Sequence, residues 1–168
     1  FINRITFSPD GSMLASASDV TVVWDVKTRQ LLGQPLDGHN QFVTSVAFSP
    51  DGNKIITYSG SLLIRSEDSS AKIWDAITGA LLANLKHNSY LVSAQFSPDG
   101  KRIVTGTFTE WAEIWDGENG ALQLKLKGHT PAIEFAKYNP NGKDIVAVTN
   151  DNTARLWDTQ TGSVRLVL

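Results

Sequence analysis

Phe96-Ser97-Pro98-Asp99-Gly100, followed by the β-branched run Ile103-Val104-Thr105 and closed by Trp115-Asp116, decides the fold because it recurs. The same signature stands at Phe7 to Gly11 and Phe48 to Gly52, and in altered form at Tyr138-Asn139-Pro140-Asn141-Gly142, at spacings of 41, 48 and 42 residues. Trp-Asp pairs follow at Trp24-Asp25, Trp74-Asp75, Trp115-Asp116 and Trp157-Asp158, spaced 50, 41 and 42 residues apart. A third marker, Gly-His, stands at Gly38-His39 and Gly128-His129, with Lys86-His87 in the middle place. Two markers over four cycles and a third over three, in constant order, define a unit of about 42 residues. The second unit carries extra length.

Local chemistry says what each unit builds. Ile5 and Phe7, Val46 and Phe48, Ala94 and Phe96, and Ala136 and Tyr138 alternate with period two, which predicts a strand. Ser-Pro-Asp-Gly predicts a tight turn: Pro presets φ, Asp bonds the local backbone and Gly takes the left-handed position. The β-branched run is a second strand, the segment ending at the Trp a third, and stretches such as Ala80 to Leu85 a fourth. No segment carries a 3.6-residue period over a helix length.

These residues resemble the WD-repeat (WD-40) β-propeller family, in the regular tandem form common in fungal proteins, over essentially the whole chain. The resemblance implies an all-β fold of four blades, each a twisted sheet of four antiparallel strands, at about 1–33, 34–85, 86–125 and 126–168. Propellers of this family typically close with about seven blades. A partial propeller is therefore expected, with a closed four-bladed ring as the alternative. An open arc leaves core-type side chains such as Ile5, Phe7, Val164 and Leu166 at its ends, where further blades or a second copy of the chain would complete the ring.

Composition narrows the function classes. The 168 residues are 41% apolar and 19% charged, with five Trp and no Cys, enough for a core but excluding disulfides, a thiolate nucleophile and cysteine-based metal sites. A net charge of −2 and scattered cations (Lys101-Arg102, Lys125, Lys127) argue against nucleic acid as a partner. With no apolar run near 18 residues and no signal pattern, the chain is expected to be intracellular and cytoplasmic, without a membrane partner.

Units bring a Ser or Thr, an Asp, a His and a Trp, and Ser, His and Asp together suggest a hydrolase. A set repeated around a ring is instead scaffold, since catalysis needs one activated copy beside an oxyanion hole. In the resembled family these residues form a hydrogen-bonded chain within a blade. The expected tetrads are His129, Thr149, Asp151 and Trp157 in the fourth unit, and His39, Ser59 or Ser66, Asp68 and Trp74 in the second. The third unit keeps His87, Thr107 and Trp115, but Thr109 replaces the Asp. The first lacks an upstream Gly-His. Blades one and three are expected to be the less rigid, their networks being partly satisfied. No catalytic residue, metal or cofactor is assigned.

Function is expected in loops rather than in the repeat consensus. The position six residues before each strand-ending aromatic reads Phe1, Phe42, Tyr90 and Ala132, and the resemblance places it on a rim. The hairpin between the second and third strands of unit three contains Phe108 and Trp111. Its counterpart in unit two is lengthened by a stretch that includes Leu63 and Arg65. Aromatic and Arg anchors are common interface hot spots. The candidate site is thus a rim of Phe42, Tyr90, Phe108 and Trp111 flanked by Leu63 and Arg65, binding a protein or peptide. The expected function is a non-enzymatic recognition module, either the sensor of a larger fungal-type signalling protein or a subunit of a ubiquitin-ligase, chromatin or trafficking assembly.

Overall fold

The computed structural model describes residues 2–60, 69–109, 111–128 and 132–168, and in it the alternating and β-branched runs are strands. They are β1 (Arg4–Phe7), β2 (Met13–Ala17), β3 (Thr21–Asp25), β4 (Leu31–Leu36), β5 (Val43–Phe48), β6 (Lys54–Ser59), β7 (Ser70–Asp75) and β8 (Leu81–Lys86) in the first half. The second half holds β9 (Leu91–Phe96), β10 (Arg102–Thr107), β11 (Ala112–Asp116), β12 (Leu122–Leu126), β13 (Ile133–Tyr138), β14 (Asp144–Thr149), β15 (Ala154–Asp158) and β16 (Val164–Val167). Each successive group of four is one antiparallel sheet in sequential order. The first sheet runs to Leu36, past the boundary drawn at residue 33, because Leu36 pairs with Thr21 and is buried at the first interface.

The turns explain why the markers recur. Ser8, Ser49 and Ser97 each donate their hydroxyl to the turn Asp two residues on, at 2.6 Å. Each also accepts the backbone N–H that opens the second strand, at 2.9 Å. Asn139 does the accepting in the fourth copy, where Lys143 N–H and Asp144 N–H reach its side-chain oxygen at 3.1 and 3.2 Å. Gly11, Gly52, Gly100 and Gly142 close these turns at φ of 74°, 76°, 71° and 71°, a region that disfavours any residue with a Cβ. The Asp of each Trp-Asp pair has a separate task. Asp25, Asp75, Asp116 and Asp158 accept a backbone N–H three residues ahead, at 2.6, 2.7, 3.0 and 2.8 Å. Those bonds hold all four carboxyls below their usual pKa, that of Asp158 at about 2.

Three apolar clusters join the four sheets, one per interface. Ala15, Val23 and Leu36 meet Val46, Ile55 and Trp74 between the first and second sheets. Ile56, Ile73 and Leu85 meet Phe96, Ile103 and Trp115 between the second and third. Val104, Ile114 and Leu126 meet Ala136, Ile145 and Trp157 between the third and fourth. Sheets approach most closely at their first strands, so these lie on the inside of the arc.

The arc is not closed. Phe7 occupies the place of Phe96, each paired with the residue opposite the Trp of its sheet, yet Phe7 is 58% exposed and Phe96 5%. Ile5 is exposed in the same way where Val46 and Ala136 are buried. Trp24 is 36% exposed, whereas Trp74, Trp115 and Trp157 are buried. At the other end Phe135, Val148 and Leu166 are exposed on the face that in the third sheet, around Ser93, Gly106 and Leu124, meets the next sheet. The closed four-bladed ring is thereby set aside: closure would bury these two faces against each other. Val164 does not belong to the open face, since its counterparts Leu31, Leu81 and Leu122 are exposed as well.

Candidate functional site

Two polar chains run through the interior, and each centres on a hydroxyl different from the one expected. Trp74 Nε1–H donates to Thr57 Oγ1 at 2.8 Å, and His39 Nε2 lies 2.8 Å from the same oxygen. In the third sheet Trp115 Nε1–H donates to Thr105 Oγ1 at 2.8 Å, with His87 Nε2 at 2.9 Å. The indole starts opposite Ile55 or Ile103 and reaches two residues further along the neighbouring strand, to Thr57 or Thr105. Thr107 lies beyond that reach. It shares a 2.7 Å bond with Thr109 and donates to the Trp111 carbonyl at 3.0 Å. Ser59 likewise sits one pair too far, its buried hydroxyl without a partner among the described residues.

The fourth unit departs furthest from expectation. Its central position is Ala147, opposite Arg155, which offers no hydroxyl at the place of Thr57 and Thr105, and Trp157 Nε1–H reaches the Lys127 carbonyl at 3.4 Å. Thr149 instead donates to Asp151 at 2.6 Å, and Asp151 also accepts from Thr153 N–H at 2.9 Å, closing the hairpin. Those bonds hold the Asp151 carboxyl at about 2. The third blade thus holds a His–Thr–Trp chain at the place where the fourth has Ala147. The third is still incomplete at its far end. With Thr109 in the place of an Asp, the buried His87 Nδ1 has no hydrogen-bond partner among the described residues. Burial pushes the His87 pKa down, opposed in part by Glu113, whose carboxylate is 3.3 Å from Nε2 and also pairs with Lys125 at 2.9 Å. His129 and Asp68 lie outside the described residues.

The chemistry open to these groups is narrow. His87 is buried and held between Thr105 and Glu113, and His39 touches the Thr57 oxygen that accepts the Trp74 indole. Among the described residues, no three His, Asp or Glu side chains converge as metal ligands.

At the end of the strands that carries the hairpins, the expected rim is only partly assembled. Tyr90 and Phe108 meet at 6.4 Å between ring centroids, tilted by 56°, and Phe108 N–H donates to the Tyr90 carbonyl at 2.8 Å. Phe42, at the matching position before β5, is 57% exposed. Trp111 does not stack with this pair. Its ring lies under Lys127 Nζ at 4.9 Å, and it lines a cavity of about 240 Å³ with His87, Thr109, Glu113 and Lys125. Leu63 and Arg65 lie outside the described residues.

The family model for the WD domain, G-beta repeat, matches residues 1–25, 30–75, 79–116 and 120–158. Target of rapamycin complex subunit wat1 of Schizosaccharomyces pombe is 36% identical over 76 residues, covering 44% of this chain and 22% of that protein. Nuclear distribution protein PAC1 of Arthroderma benhamiae is 40% identical over 79 residues, 45% of this chain and 17% of that protein. COMPASS component SWD3 of Saccharomyces cerevisiae is 32% identical over 83 residues, 49% of this chain and 24% of that protein. The matches thus span less than a quarter of these relatives' length.

Proposed function

This chain belongs to the WD40 repeat family, and from that premise we propose that it is a non-enzymatic platform for protein recognition, part of a larger propeller. The observation that carries the proposal is the contrast between interior histidines bonded to strand hydroxyls and a hairpin end that presents the exposed Phe42 and, separately, the packed Tyr90–Phe108 pair. Rigid sheets holding apolar anchors at a rim suit the capture of a peptide or protein loop. The two open end faces add a second kind of contact, satisfied by further blades of the same protein or by a second copy of the chain.

Two settings follow from the family. In the first, the array is the sensing part of a larger signalling protein of fungal type. In the second, it is a scaffold or substrate-recognition subunit of a multiprotein assembly. The names of the relatives favour the second, since wat1 and SWD3 are called components of complexes. An intracellular, cytoplasmic location is part of the proposal and agrees with a chain without cysteine.

Affinity purification of the protein and of a Phe42→Ala, Tyr90→Ala, Phe108→Ala variant, compared by mass spectrometry, tests the rim. The proposal expects a defined set of partners to fall at least tenfold in the variant while its melting temperature holds. An unchanged partner set would remove the rim from consideration.

A further inference from the structure

The opposite end of the strands, where the Ser-Pro-Asp-Gly and Trp-Asp turns lie, has crevices between neighbouring blades, and two of them differ sharply. Between blades two and three the crevice measures about 350 Å³ and is lined by Lys54 and Lys101 against Asp51, Asp99, Asp116 and Glu118. Between blades three and four it measures about 710 Å³, and Lys101, Arg102, Lys143 and Arg165 outnumber Asp99 and Asp158. The charge balance is reversed, and the volume is twice as large.

Repeat-matched residues show how the reversal arises. Lys54 and Arg102 both open a second strand and donate to a carbonyl in the next blade's Trp-Asp turn, Gly117 at 3.1 Å and Thr159 at 3.0 Å. Lys54 is also neutralised by Glu118. The next copy has Gln160 at that place, which carries no charge. Asp99 is spent within its own turn, accepting from Ser97 at 2.6 Å and from Lys101 N–H at 3.1 Å. Asp158 is held by Arg165, which also binds Asp144 at 2.7 Å. Among the described residues, Lys101, Arg102 and Lys143 make no ion pair.

The crevice also contains an unmatched hydroxyl. Tyr138 stands where the other copies have Phe7, Phe48 and Phe96, and it is buried with its Oη lacking a hydrogen-bond partner among the described residues. Arg102 and Asp99 are the charges that act on that oxygen. A buried donor without an acceptor costs free energy that an incoming oxygen would recover.

We infer that the crevice between blades three and four binds an oxyanion, carboxylate or phosphate, carried on a peptide segment of a partner protein. Tyr138 donates its hydroxyl to the ligand oxygen, while Lys101, Arg102 and Lys143 supply the compensating charge. A cavity of this volume accommodates a side chain with its flanking backbone. The site is at the far end of the strands from the aromatic rim, so either stands or falls without the other.

Fluorescence anisotropy with three fluorescein-labelled probes tests it: hexaglutamate, a phosphoserine–glycine peptide of the same length, and hexaglutamine. We expect at least one anionic probe to bind and hexaglutamine not to. Binding of hexaglutamate alone assigns a carboxylate, binding of the phosphopeptide alone a phosphate, and binding of both a general oxyanion site. The double variant Lys101→Glu, Lys143→Glu should weaken binding at least tenfold. The charge-matched Lys27→Glu, Arg29→Glu, on the exposed turn of blade one, should change it less than twofold. Tyr138→Phe restores the residue found in the other three copies, so the fold is kept, and it should weaken binding by about tenfold. Failure of both anionic probes to bind, or equal weakening by the two charge-reversed variants, would overturn the inference.

Discussion

Trp24 and Trp74 fill one position of one repeat, each opposite an aliphatic residue of its neighbouring strand and each followed by an Asp that caps the same turn. Trp24 is 36% exposed and Trp74 2%. The strand pairing and the turn are the same for both, although Trp74 also has Thr57 and His39 beside its indole, where the first unit has Ser16 and no histidine. What also differs is that the first sheet packs against Trp74 and no described sheet packs against Trp24. A propeller blade is thus half a core: its strands and turns are set within the unit, but the burial that stabilises it comes from the unit before.

The largest expected effect probes that contrast directly. Trp74→Ala should cost about 3–5 kcal/mol, combining lost burial, a cavity and the bond to Thr57. Trp24→Ala should cost about 1–2 kcal/mol. Urea denaturation of the two variants measures both. Equal losses would mean that the neighbouring sheet contributes little to the energy of the position.

An intermediate effect separates copies by their internal hydroxyls. Thr105→Val leaves the buried Trp115 N–H without its acceptor and His87 without its hydroxyl neighbour, and should cost about 2 kcal/mol. Thr149→Val disturbs only the partly solvated hairpin around Asp151 and should cost about 1 kcal/mol. The opposite order in thermal or urea melts would return Thr149 to the place that Thr105 holds in the structure.

The smallest effect is set by pH. Burial holds the His87 pKa below its usual value near 6.5. Below that value the unfolded chain takes up a proton more readily than the folded one, so the contribution is full above about pH 6.5 and is lost as pH falls through the lower folded value. Blade one has no histidine. Hydrogen exchange between pH 7 and pH 5.5 should therefore show β10 and β11 losing protection relative to β2 and β3. The turn aspartates of all four blades are held below their usual pKa, so their contribution is lost only at lower pH, for Asp10, Asp151 and Asp158 as pH falls toward about 2. Parallel loss in both blades above pH 5 would contradict the role of His87.

Strand order, turns and repeat number were legible because each rests on neighbours in sequence. Period-two alternation, a Pro-Asp-Gly turn and a Trp-Asp cap act over a few residues and read the same wherever the unit sits. The tetrads were half legible. Counting eight residues back from the Trp lands on Thr107 and Thr149, at the hairpin end of the strand, whereas the hydroxyl that meets the indole is the third residue of the Ile-x-Thr run, at Thr57 and Thr105. The count back from the Trp crosses the hairpin, so it does not measure distance along the ladder, where the hydroxyl lies two residues beyond the partner of the Trp. Counting from the residue paired with the Trp would have found it. The rim was legible as a set of aromatics but not as an assembly, since pairing of Tyr90 with Phe108 and of Trp111 with Lys127 depends on rotamers and neighbouring strands.

The repeated sequence by itself determined what one blade is, because strand propensity, alternation and turn chemistry are short-range and every copy carries them, the fourth with Asn139 in the place of the turn Ser. Only the tertiary structure decided which identical positions are buried, which hydroxyl bridges His to Trp, and where charge accumulates between blades. Those properties belong to pairs of sheets, and a surface shared by two sheets is written in neither alone.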